Sequence, residues 1–174
     1  MFAVNNEDIL LRRVVQSDVG ALFRYSSQKE VAAAAGFKRA NNQADALSFM
    51  HFLDNDFSWV IEEQKKKQVI GNICLYEGSN AAGEPVTTTR TLGYALNKDY
   101  WNQGIMTLAL KQLLKTLPPG TVKTIEAFVA LDNPASARVL EKNGFVCQDV
   151  ITLPFWKNFA QQERACVYRR DFTG

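Results

Sequence analysis

The sequence predicts an α+β (mixed α/β) layer fold around a central sheet, and three observations predict it. Strand-like and helix-like patterns follow one another in the order strand, helices, three strands, helix, strand, helix, two strands. A strand–helix–strand step runs from Leu92 through Val129, which implies parallel neighbours joined by a right-handed crossover. Residues 58–76 read as a hairpin, and the two late strands are placed to fold back antiparallel.

Ile9 to Val15, rich in Leu, Ile and Val, is the first strand. Ser17 or Asp18 caps a helix through Leu22, Phe23 and Tyr25, and Lys29 to Ala35 forms a second short helix ending near Gly36. Asn41 to Leu53 is helical because Ala46, Phe49, Met50 and Leu53 recur at three- and four-residue steps. Trp59-Val60-Ile61 opens a strand, and Val69 to Tyr76 is its partner. Between them Glu62 to Gln68, with Lys65, Lys66 and Lys67, reads as a solvated turn. Glu77 to Pro85 is a Gly- and Asn-rich loop, and Thr87 to Leu96 is a β-branched strand. After Trp101 to Gly104 comes a helix whose stripe is Met106, Ala109, Leu110, Leu113, Leu114 and Leu117, stopped by Pro118-Pro119-Gly120. Lys123 to Ala130, Val146 to Leu153 and Ala165 to Arg170 are strands, with a helix at 133–145 after the first of them. With no internal repeat and no linker, residues 1–174 are expected to form one domain.

Composition narrows the function. The chain is 47% hydrophobic and 22% charged, and 20 basic against 18 acidic side chains give a net charge of +2. That balance gives no reason to propose nucleic acid or a membrane as partner. Cys74, Cys147 and Cys166 are scattered with no CxxC pair, which argues against a disulfide framework and against zinc. With His51 the one histidine, no metal site is expected. The start MFAVNNEDILLRR lacks a signal peptide's basic end and apolar run, and no apolar stretch reaches membrane-spanning length. The expectation is a reduced, cytoplasmic protein acting as a monomer or homodimer.

Two stretches carry chemistry. Asn133 to Phe145 is a helix with both ends marked: Asn133 caps it, Pro134 takes the first helical position and Gly144 closes it. It is too short to stand alone in water and must be held by neighbours. The turn Tyr100 to Met106 leads into a helix start, whose unpaired N–H groups and positive dipole end attract anions. Gly104, lacking Cβ, lets the backbone come close to a pyrophosphate. The alternative for this turn is an ordinary helix entry.

The pattern Asn-x-x-Ser-x-x-Val-Leu-x-Lys-x-Gly-Phe at 133–145, after Thr-Ile-Glu-Ala at 124–127, resembles one hallmark motif of GNAT acetyltransferases. Leu-Gly-Tyr-x-Leu at 92–96 followed by Tyr-Trp-x-x-Gly at 100–104 resembles their acetyl-CoA motif. These spellings, with Leu-Leu-x-Arg at the start and Asp18, look like the branch that acetylates N-termini of ribosomal proteins. The resemblance spans essentially the whole chain. It implies a mixed, mostly antiparallel sheet with a splayed parallel strand pair, helices on both faces, and acetyl-CoA as co-substrate. The acetyl group would pass directly to a primary amine, at a protein or peptide N-terminus, with a small amine such as a polyamine or antibiotic, or a non-catalytic CoA-binding scaffold, as the alternatives.

The resemblance also implies site residues. Tyr94, Ala95, Leu96 and Asn97 would pair through their backbone with the pantetheine arm, as in strand addition. Asn102, Gln103, Gly104, Ile105, Met106 and Thr107 would cradle the pyrophosphate. Asn133 and Ser136 would lie near the thioester, and the Leu96 N–H would donate to the tetrahedral oxyanion. Ser136 is the candidate donor to the departing thiolate, because the tyrosine that many relatives carry one turn later is Leu140 here. Glu126 is the candidate base; its alternative is a structural carboxylate facing a basic side chain. Asn133 serves as helix cap in either case. His51, on a helix outside both motifs, reads as a surface residue, and Phe37, Trp59 and Trp156 as core or acceptor wall. Trp101 and Tyr100 anchor the strand–helix corner or line the cofactor site, and Arg138 or Lys142 would meet the cofactor's 3′-phosphate or only water. The sequence departs from the family at Trp101, at Thr91, and at Met106, where a small residue is usual; Met106 fits if its side chain turns into the helix stripe.

Overall fold

The computed structural model describes residues 8–79, 84–153 and 163–172. Its strands are β1 (Ile9–Arg12), β2 (Ser58–Glu63), β3 (Gln68–Ser79), β4 (Pro85–Leu96), β5 (Thr124–Ala130), β6 (Val146–Leu153) and β7 (Glu163–Asp171). They form one seven-stranded sheet in the order β1-β2-β3-β4-β5-β7-β6. The sheet is mixed and mostly antiparallel, as expected: β1–β2, β2–β3, β5–β7 and β6–β7 are antiparallel. β4 and β5 run parallel, in register from Thr89↔Thr124 to Thr91↔Glu126. The helices are α1 (Val19–Ser26), α2 (Lys29–Ala35), α3 (Gln43–Leu53), α4 (Ile105–Thr116) and α5 (Pro134–Glu141). The chain packs into two compact units, Met1–Cys74 with Tyr94–Leu113, and Leu75–Gly93 with Leu114–Gly174.

In the first unit, α1 follows a 3-10 turn at Gln16–Asp18, and Asn42 caps α3 by accepting the Asp45 N–H at 2.9 Å. The apolar faces of α1, α2 and α3 converge in a core of Leu22, Tyr25, Val31, Met50, Leu53, Val60 and Val69, with Phe37 and Trp101 packed on its margin. Trp59 is buried and His51 is exposed; Trp156 lies outside the described residues. Tyr25 is wholly buried, its hydroxyl donates to Asn72 Oδ1 at 2.9 Å, and burial pushes its pKa up. At Gly71 a Cβ would collide with the Ala95 carbonyl oxygen and stand 3.2 Å from Leu96 Cα. Glycine there is what lets β3 lie against the end of β4.

The charge run after Ile61 is not all solvated. Glu62 and Glu63 belong to β2, the turn is confined to residues 64–67, and Glu62 is buried. Glu62 accepts from Arg12 Nε at 2.7 Å, while Arg12 grips Asp18 with Nη1 at 2.7 Å and Nη2 at 2.8 Å. Asp18 therefore does not act as a simple helix cap: it takes this fork and the Val15 N–H at 2.9 Å.

In the second unit, β5 pairs with β7 along its whole length, Thr124↔Asp171 to Ala130↔Ala165. The reduced state expected for the scattered cysteines does not hold for two of them: Cys147 and Cys166 are joined, with Cα atoms 6.0 Å apart. The reason is topological. Cys147 stands opposite Tyr168 in the antiparallel β6–β7 pair, so Cys166, two residues back along β7, is its diagonal cross-strand neighbour although the two are 19 apart in sequence. Tyr168 ties β7 to α5 through a 3.0 Å hydrogen bond to Glu141 Oε1. Among the described residues, no helix is long and apolar enough to cross a membrane, and no group of His, Cys, Asp or Glu is placed to hold a metal ion.

Candidate active site

The candidate site residues fall into two sets, one in each unit. In the first unit they begin at the end of β4, where Ala95 and Leu96 are buried and Tyr94 is partly so. The chain turns sharply at Asn97, which is 2% exposed. Its N–H donates to the Ile70 carbonyl at 2.7 Å, and its carbonyl accepts from Tyr100 N–H at 3.0 Å. The Asn97 N–H is thus committed inside the protein, which leaves its carbonyl, with a second lone pair, as the one backbone group of Asn97 able to meet a further donor. The Leu96 carbonyl likewise accepts from Trp101 Nε1 at 2.8 Å, so Trp101 anchors the corner by a hydrogen bond as well as by packing. Lys66 Nζ donates to the Tyr100 hydroxyl at 3.3 Å, a contact that holds the lysine pKa up.

Beyond the corner the backbone takes left-handed conformations at Asn102 (φ 59°) and Gly104 (φ 76°). Alternation of this kind turns successive N–H groups toward one side, as in anion-binding nests. The α4 ladder includes Leu108 N–H on the Gly104 carbonyl at 3.0 Å, so the N–H groups of Gly104, Ile105 and Met106 precede it at the helix start. Asn102, Gln103 and Gly104 are exposed, and a Cβ placed on Gly104 would meet no heavy atom within 4 Å. Gln103 Nε2 donates to the Asp99 carbonyl at 3.1 Å, which bends that side chain back over the corner. Met106 is buried at 6% exposure, with its side chain in the α4 stripe alongside Ala109 and Leu110. The bulk that replaces a small family residue therefore leaves the helix start open. A bulky anion has room and donors here, and the residues present fit the pyrophosphate of a coenzyme.

In the second unit, Glu126 lies mid-way along β5, opposite Thr91 on β4 and Arg169 on β7. Arg169 Nη1 stands 3.9 Å from its Oε1, while Arg169 Nε reaches Asp171 at 3.0 Å. Thr124 Oγ1 donates to Asp171 at 2.7 Å, and this bond, then the Arg169 one, holds the Asp171 carboxyl below its usual pKa. The basic neighbour required by the structural alternative for Glu126 is therefore in place. At the start of α5, Asn133 Oδ1 accepts the Ser136 N–H at 3.1 Å with Pro134 at the first turn, so the predicted cap forms as written. Ser136 is partly buried in that turn, and Arg138 and Lys142 are exposed.

What sequence reasoning missed is the side chain at the N-cap of α2. Gln28 Nε2 donates to Asn97 Oδ1 at 3.0 Å, and Gln28 Oε1 accepts the Lys98 N–H at 2.9 Å. The one available signal was a glutamine at a helix N-cap, where shorter polar residues are favoured.

A mixed sheet with one parallel pair, and a strand that ends in a glycine-bearing, anion-ready helix start, define an α/β enzyme built to hold a phosphorylated coenzyme. The model of the acetyltransferase (GNAT) domain matches residues 8–146, and the chain belongs to that family: it is an acetyl-CoA-dependent acyltransferase. An uncharacterized N-acetyltransferase, YoaA of Bacillus subtilis (strain 168), is 25% identical over 166 residues, 91% of each chain. Among solved structures, a GNAT-family acetyltransferase from Bacillus anthracis superposes with a TM-score of 0.83 at 19% identity, over 98% of both chains. The ribosomal-protein-S5-alanine acetyltransferase from Vibrio fischeri superposes with a TM-score of 0.75 at 18% identity, over 97% of this chain and 96% of that one.

Proposed function

We propose that this acetyltransferase moves the acetyl group by direct attack of a primary amine at a protein or peptide N-terminus. The observation that carries acetyl-CoA use to these residues is the left-handed turn at Asn102 and Gly104 ahead of the α4 ladder, with the Met106 side chain withdrawn into the core. The backbone of residues 102–107 receives the pyrophosphate, and that of Tyr94 to Leu96 the pantetheine arm. The Leu96 N–H donates to the oxyanion as the carbonyl carbon becomes tetrahedral. Glu126, or a water it orients, takes the amine proton. The C–S bond then breaks, and the Ser136 hydroxyl donates a hydrogen bond to the departing thiolate. Asn133 holds the first turn of α5, and with it Ser136, in place.

The N-terminal acceptor is supported by the spelling of residues 92–104 and 133–145 and by the likeness to the S5-alanine enzyme. A second reading is a polyamine acceptor. It is favoured by an equally distant neighbour, a spermidine N-acetyltransferase from Vibrio cholerae with a TM-score of 0.71 and 18% identity over 94% of each chain. The test is thiol release from acetyl-CoA against a panel of N-terminal peptides, the same peptides with blocked N-termini, and spermidine. Turnover that requires an unblocked N-terminus supports the first reading. Turnover confined to spermidine replaces it with the second, and binding of acetyl-CoA without any release reduces the protein to a scaffold.

Ser136→Ala tests the role of the hydroxyl. The Asn133 cap uses the Ser136 backbone N–H, so the substitution keeps that bond. The expected result is a kcat lower by about 10-fold with KM for acetyl-CoA unchanged, the low end of what a positioned proton or hydrogen-bond donor supplies. Single-turnover rates equal to wild type would leave Ser136 a packing residue.

A further inference from the structure

We propose that Gln28 is a positioning residue for acetyl transfer: its side-chain amide clamps the corner after β4 to the start of α2 and so fixes the backbone that receives acetyl-CoA. The proposal rests on the reading above that residues 94–96 and 102–107 bind that substrate.

Gln28 occupies the N-cap of α2 with extended backbone (φ −75°, ψ 122°), yet its side chain makes no cap hydrogen bond. A glutamine is a poor cap, and this one is used elsewhere. A primary amide offers one acceptor oxygen and donor hydrogens on nitrogen. Here Oε1 takes the Lys98 N–H at 2.9 Å, and Nε2 gives to Asn97 Oδ1 at 3.0 Å. Both ends of one side chain are thus spent on two consecutive residues about seventy positions later in the chain.

What Gln28 holds is itself a hub. Asn97 is buried, and the same Oδ1 also accepts the Asp99 N–H at 3.1 Å, which starts the short turn at Lys98–Tyr100. Lys98 Nζ closes the ring on Glu30 Oε1, in the first turn of α2, at 2.5 Å. The corner lies between Leu96, whose N–H is the proposed oxyanion donor, and Asn102, where the proposed anion cradle begins. Release of the corner would let both shift relative to β3. The amide clamp and the surface ion pair are separable. The clamp uses the Lys98 backbone, so Lys98→Ala removes the ion pair and keeps the clamp. An exposed pair of that kind contributes little.

The test uses the full chain. Gln28→Met keeps the length of the side chain and removes both hydrogen bonds; Gln28→Glu keeps an acceptor for Lys98 N–H and loses the donor to Asn97. Acetyl-CoA affinity is measured by calorimetry, and kcat and KM by thiol release, at a temperature where each variant is folded by circular dichroism. The expected order of affinity is wild type, Gln28→Glu, Gln28→Met, with Gln28→Met weaker by about tenfold and lower in kcat, the scale of one to two lost hydrogen bonds. Lys98→Ala should match wild type. Should Gln28→Met not fold, Gln28→Glu alone decides, through a rise in acetyl-CoA Kd and a fall in kcat. Variants that lose thermal stability while keeping wild-type Kd and kcat overturn the proposal, since Gln28 would then be merely structural. Gly104→Glu, run alongside, separates the two readings. If it too keeps wild-type affinity, the cradle itself is misplaced; if it abolishes binding while Gln28→Met does not, only the clamp fails.

Discussion

Gly104→Glu is expected to leave a folded protein that no longer gains thermal stability from acetyl-CoA. Two effects act together at this position. The φ of 76° belongs to a region that side chains other than glycine rarely enter, at a cost of about 1 kcal/mol. That is a modest loss for a domain of this size, and the added Cβ meets nothing within 4 Å, so the fold survives. The larger effect is electrostatic. A carboxylate at the start of α4 satisfies the same N–H groups and dipole that an incoming phosphate would use, and repels the phosphate as well. A ligand present at a hundredfold its Kd stabilises a protein by about 2.7 kcal/mol, and that increment should vanish. kcat/KM for acetyl-CoA should fall by about 100-fold or more, the scale of a misplaced substrate. Gly104→Ala carries the backbone strain without the charge, so a differential-scanning series of wild type, Ala and Glu with and without acetyl-CoA apportions the two. A Glu variant that keeps the full ligand-induced shift would mean that the coenzyme's phosphates bind away from this turn.

What could be read from the sequence was what is written locally. Asn133, Pro134 and Gly144 mark the ends of α5 within a dozen residues, and the structure forms that cap through the Ser136 N–H. The α4 stripe placed Met106 in the core for the same reason: a 3.6-residue period is a local property. The features that were missed depend on partners far along the chain. Glu62 looked solvated because three lysines follow it, but its partner Arg12 is fifty residues earlier, brought alongside by the β1–β2 ladder. Cys147 and Cys166 looked unrelated because their proximity depends on how β6 pairs with β7. Gln28 and Asn97 meet across 69 positions, and a polar residue at a helix start gives no hint of where its side chain will be used. The site followed the same division. The helix entry after Gly104, proposed above as the anion site, was legible because its glycine and helix start are contiguous. Which backbone groups at the strand end were already taken was not, because Asn97 N–H is committed to Ile70 on β3.

The largest expected loss of stability comes from Arg12, at the start of the chain's resemblance to its family. The guanidinium holds Asp18 bidentately and Glu62 through Nε, with side-chain exposures of 17%, 7% and 11% for the three residues. Hydrogen bonding to Asp18, partly offset by burial, keeps the Arg12 pKa above its ordinary value, so the cation persists at every accessible pH. Arg12→Met keeps most of the aliphatic stem and leaves two nearly buried carboxylates facing one another with no cation. Breaking a buried ionic cluster in this way costs about 3–5 kcal/mol. For a chain of this length that is a drop of roughly 10 °C in Tm. Arg12→Lys should fall between, since a single ammonium restores the charge but cannot fork onto Asp18 while reaching Glu62. Arg12→Met combined with Asp18→Asn and Glu62→Gln should recover much of the loss at neutral pH, because the cost lies in the uncompensated charges rather than in a missing attraction. A triple variant no more stable than Arg12→Met would move the cause from charge to the packing of the arginine stem.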